Sequence, residues 1–136
     1  MGQPNTMQWL AAGERELDGA YGQGFLQGIL LSEVSAPAYT TATERRIVMC
    51  DEVTRDRHGR VQVASISLQV PWRRVCAYWL GVVPFPPDMW REGHEGEVIM
   101  FTLEPEVADG RDIVVWPRTA AWTAAAESVG VPQLRD

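Results

Sequence analysis

The chain of 136 residues has no lysine: all twelve of its basic residues are arginine, set against eighteen acidic residues for a net charge of −6. A compositional bias toward Arg, Ala, Gly, Val and Pro accounts for this. Escape from lysine-directed modification is the functional alternative. The negative balance argues against non-specific duplex DNA binding, where affinity comes mainly from neutralising phosphates. No apolar run reaches the ~18 residues of a membrane-spanning helix. The first residues, Met1-Gly2-Gln3-Pro4-Asn5, lack the basic region and apolar block of a secretory leader. There are only two cysteines, Cys50 and Cys76, placed in expected strands and read as buried and reduced rather than bridged. Together these features point to a soluble cytoplasmic protein with no membrane association.

Catalytic signatures are missing too. The sequence has no Walker loop, no Gly-x-Ser-x-Gly elbow and no catalytic cysteine motif. Gly22-x-Gly24-x-x-x-Gly28 lacks dinucleotide spacing and leads into a strand. The two histidines do not form a metal motif. His58 reads as a solvated turn residue, and His94, near Asp88, Glu92, Glu95 and Glu97, as part of a polar loop. The expectation is therefore no catalytic residue, no metal and no cofactor.

What is present is a β-rich pattern in a chain with 46% apolar and 22% charged residues, enough for one domain with a real core. Residues 7–17 carry apolar positions at helical spacing and predict a short N-terminal helix, weakened by Gly13. Strands are predicted over 25–34, 46–53, 61–70 and 72–80, with 35–39 as a break and 55–60 as a hairpin turn in which Gly59 suits a positive φ. The third strand changes phase. Val61 and Val63 share one face while Ile66, Leu68 and Val70 share the other, which implies a bulge near Ala64-Ser65. Residues 82–96 are rich in proline and aromatics, unsuited to a central strand, and two more strands follow over 97–103 and 112–116. Thr119 as N-cap, the face Trp122, Ala125, Ala126 and Val129, and the stop at Gly130 and Pro132 mark a C-terminal helix.

Phe25-Leu26-Gln27-Gly28-Ile29-Leu30, then Ile47-Val48-Met49-Cys50-Asp51-Glu52-Val53, a polar hairpin, and Val70-Pro71-Trp72-Arg73-Arg74-Val75 together resemble the strand order of Sm-like domains. The resemblance covers residues 25–80. It implies a small, strongly bent five-stranded barrel that assembles into rings and binds RNA. The Asp and Asn pair with which Sm-like rings typically bind RNA has no counterpart in 35–43. The fold expected is accordingly mainly β (α+β): a small, strongly bent antiparallel barrel or half-open roll with a short N-terminal helix and a C-terminal helix. It forms a single domain, 1–136, with a barrel core at 20–83, a Pro/aromatic loop at 84–96, and a hairpin plus helix at 97–130.

Six tryptophans are many for this length, and Trp72 and Trp90 lie beside prolines or at element ends. Such aromatics either anchor a partner or pack loops over a core. Phe85, Met89, Trp90 and Trp72 are the candidate partner-contact residues, and prolines in 84–90 lower the entropy cost of ordering that segment. Arg45, Arg46, Arg73 and Arg74 are the candidate nucleic-acid contacts; read structurally, they are exposed strand and turn positions. The leading functional reading is a non-enzymatic binding or assembly module that forms homo-oligomers and docks a protein partner. An Sm-like RNA-binding protein is one alternative. A small ligand-binding barrel or enzyme with residues 84–90 as its lid is another.

Overall fold

The computed structural model describes residues 9–27, 34–35, 39–84 and 95–135. The elements are β1 (Glu16–Gln27), β2 (Val34–Ser35), β3 (Tyr39–Thr43), β4 (Arg46–Arg55), β5 (Val61–Pro71), β6 (Val75–Pro84), β7 (Glu95–Leu103), β8 (Asp112–Trp116), helix α1 (Ala120–Ser128) and β9 (Gln133–Leu134). Eight strands run in the continuous order β5-β4-β3-β1-β8-β7-β6-β9, with β2 as a side pairing on β1. All pairings are antiparallel except β6 with β9, so the sheet is mixed.

Of the barrel or half-open roll expected, the closed barrel does not form: the sheet is open but strongly curled. Six strand steps separate β5 from β6, which in a flat sheet would be ~29 Å at about 4.8 Å per step. The chain crosses from one to the other through a single 3-10 turn, Trp72–Arg74. Its four Cα steps reach at most ~14 Å. Curling brings those ends together, while a seam persists between β5 and β9. The long β1 spans the sheet's centre: Tyr21 and Gly22 pair with β3, and residues Gln23 to Gln27 pair with β8.

The concave face holds the main core, drawn from all the long strands and α1. Trp72 and Phe101 meet edge-on at 5.8 Å, and Phe101 lies 5.6 Å from Trp122, a side chain from α1 with no exposure. These three rings form a row through the core, joined by Ile47, Val70, Ile99 and Ile113. β7, β8 and α1 are thus central to the fold.

Several expectations need correction. No N-terminal helix forms among the described residues. Trp9 to Arg15 make a coil and turn with Gly13 at φ +78°, and β1 starts at Glu16, because Leu17 and Ala20 turn into the main core. Residues 39–43, of which Tyr39 is read as the end of a break and 40–43 are assigned to no strand, form β3, every residue of which is buried. The strand expected from Trp72 starts only at Val75, and strand pairing runs on through Pro84, opposite Glu95. The Asp56–Arg60 turn forms, with Gly59 at φ +81°. The β5 phase change is real but shared between strands. Ser67 and Gln62 on β5, and Asp51 on β4 opposite Ile66-Ser65, are the extra residues, and the one at Ser67 puts Ile66 and Leu68 on opposite faces. Cys50 is buried, as expected, but Cys76 is exposed; both are free.

Candidate functional site

The arginines read as nucleic-acid contacts do gather at one corner, since the backbone N–H of Trp72 donates to the carbonyl of Arg45. Most of their charge is matched locally. Arg45 lies 3.9 Å from Glu44, and Arg74 donates to Glu104 at 2.7 Å. Arg73 is exposed. Arg46 is built into the fold: its Nε and Nη2 grip both oxygens of Glu14 at 2.7 Å, Nη2 also reaches the Trp9 carbonyl, and Nη1 reaches Gln69. Trp72 is buried, its indole N–H donating to the Thr43 carbonyl at 2.9 Å. Phe85, Met89, Trp90 and His94 lie outside the described residues. His58 is exposed in its hairpin turn.

The Arg46–Glu14 pair fixes something that sequence reasoning missed. Glu14, with a side chain 1% exposed, also accepts from the Ala11 N–H and the Thr43 hydroxyl. Hydrogen bonding from Arg46 outweighs the cost of burial and holds its carboxyl down at about 2. The clamp presses the segment from Trp9 onto the convex face of β3, β4 and β5, where Trp9, Tyr39, Val48, Cys50 and Ala64 form a second core. The Trp9 indole reaches toward the Val61 carbonyl at 3.4 Å.

Beside this segment lies a cleft of about 490 Å³ lined by Trp9, Glu16, Asp18, Arg60 and Val61, continuing into a second hollow of about 250 Å³ toward Tyr21, Tyr39 and Arg55. The β1 wall follows from a bulge. Gly19, at φ +81°, offsets the strand so that Leu17 and Ala20 enter the main core while Glu16, Asp18 and Tyr21 line the cleft. Tyr39 donates to Glu16 Oε2 at 2.7 Å, and the Thr41 hydroxyl donates to the same oxygen. Burial, reinforced by the neighbouring Glu16 carboxylate, pushes the Tyr39 phenol well above its usual range, so it is a donor throughout the physiological range. The opposite wall is the β4–β5 hairpin. Asp56 accepts from the N–H groups of His58 and Arg60 and from Gln62, which locks the turn. Arg55 lies 5.0 Å over the Tyr39 ring and donates to the Gly59 carbonyl at 2.9 Å. No His/Cys/Asp/Glu cluster able to hold a metal ion occurs among the described residues.

The sheet edges are the other feature that can act. Among the described residues β5 pairs only with β4, and its eleven residues, VQVASISLQVP, include no charge. At the far edge β9 covers β6 only at Tyr78 and Trp79.

Comparison with protein-family models, with curated proteins and with solved structures gives no match. The functional reading rests on the molecule itself.

Proposed function

We propose that the protein is a non-enzymatic assembly module that self-associates through the outer edge of β5. The uncharged edge carries this reading. Long edge strands normally bear charges, prolines or a covering element that prevents pairing with another chain. Among the described residues, no charge, proline or paired strand lies along the outer edge of β5 until Pro71, at its closed end. Its bulges bend the strand without adding a charge, and Gln62, Ser67 and Gln69 are its outward polar residues. A sheet that leaves a seam within one chain gains closure when a second copy adds its own β5 antiparallel, an arrangement that a two-fold axis makes self-complementary. The aromatic segment containing Phe85, Met89 and Trp90 belongs to the same reading as a protein-contact loop.

The test is size-exclusion chromatography with light scattering at micromolar concentration. Wild-type protein runs as an even-numbered oligomer. Ser65→Lys with Ser67→Lys sets like charges across the pairing and yields monomer, with an unchanged far-ultraviolet circular dichroism spectrum. A monomeric wild type overturns the proposal.

A further inference from the structure

We infer that the cleft between β1 and the β4–β5 hairpin binds a small zwitterion, an α-amino acid or short peptide with both its ammonium and its carboxylate free. This goes beyond the assembly reading and does not depend on it.

The cleft carries charges of both signs. Glu16 and Asp18 stand on β1 with Arg15 just before it, and Arg55 and Arg60 stand on the hairpin side. Opposite charges that share a cleft attract, and where side chains can reach each other they close into ion pairs. None of the ion pairs among the described residues joins these walls. What holds them apart is on each wall. Glu16 is fixed from behind by Tyr39 and Thr41. Arg55 is held by the Tyr39 ring and the Gly59 carbonyl, and the Asp56 turn sets the backbone of Arg60. The gap between Glu16 and Arg55, each held on its own wall, is matched by a ligand that carries both signs.

A plain anion would face Glu16 and Asp18, and a plain cation would face the guanidiniums. A molecule with both groups answers the acidic pair on β1 and the guanidiniums around it. The lining suits the rest of such a ligand, because Leu10 and Val61 offer apolar surface beside the buried Trp9, and Tyr21, 54% exposed, offers its ring. At about 490 Å³ the main hollow falls within the size range of small-molecule sites.

The test is calorimetric titration of the full chain with L-phenylalanine and with the tripeptide Ala-Phe-Ala, followed by the N-acetylated and C-amidated forms of whichever binds. Saturable binding of the amino acid alone identifies a free amino acid as ligand class. Binding of the tripeptide alone identifies a peptide with free ends, and binding of both supports the shared chemistry. Each blocked form weakens binding about tenfold or more, as expected for loss of a charged hydrogen bond. Arg60→Gln, an exposed position, removes the difference between carboxylate and amide forms. Glu16→Gln removes the difference between free and acetylated amine. If neither zwitterion saturates the protein, or if the blocked forms bind as tightly, the inference falls.

Discussion

At the scale of single residues, Glu14 and Arg46 do more than their sequence positions suggest. Removing one partner strands the other in a mostly buried site, so Glu14→Ala is expected to cost about 3 kcal/mol in urea unfolding. The pH dependence follows from the same pair. Glu14 titrates at about 2 in the folded chain against 4.5 ordinarily, so its contribution is fully present above 4.5 and is lost as pH falls toward 2. Stability measured across that window should drop in the wild type and stay flatter in Glu14→Ala. Thr40 offers the opposite case. Its hydroxyl is buried with no hydrogen-bond partner among the described residues, so Thr40→Val, similar in shape, should raise stability by about 1 kcal/mol. The thiols should separate cleanly. Burial, with help from Asp51, pushes Cys50 up to about 11, whereas Cys76 is exposed. A disulfide reagent should titrate one thiol in the native protein and the second only on unfolding.

At the scale of elements, α1 is the piece whose loss matters most. Its Trp122 closes the aromatic row, and Trp122→Ala should cost about 3–5 kcal/mol by chemical denaturation. This helix was legible because Thr119, the Trp122/Ala125/Ala126 face and Gly130 are local signals. Yet Thr119 donates its hydroxyl to the Gly19 carbonyl instead of capping, and Val129 is exposed. The β4–β5 hairpin was legible for the same reason, with Gly59 and the alternation on both sides. The barrel and the N-terminal helix were misread because closure and chain direction depend on partners far away. Leu10 and Leu17 sit at helical spacing, but one packs on the convex face and the other on the concave one. β3 was missed since Thr41 and Thr43 satisfy their hydroxyls through Glu16, Glu14 and backbone, a compensation invisible to propensity. The cleft was equally hidden. Glu16, Tyr39, Arg55 and Arg60 are ordinary residues at unrelated spacings, and only the Gly19 bulge and the β1–β3 pairing bring them together.

At the scale of the whole molecule, the curled sheet has two consequences that differ in kind. Among the described residues its seam leaves the outer edge of β5 unpaired, and the oligomer measurement decides whether a second chain takes it. Its centre is β1, whose pairing partners lie on both sides: Thr40 and Thr41 stand nearby in sequence, but Ile113 to Trp116 stand some ninety residues away. A contact of that separation is closed late and at high entropic cost. On a ribosome, β1 waits with one edge unpaired until β8 has been made. The middle of the sheet therefore stays half-built until Asp112–Trp116 has been made, however early its β1–β3 half has paired.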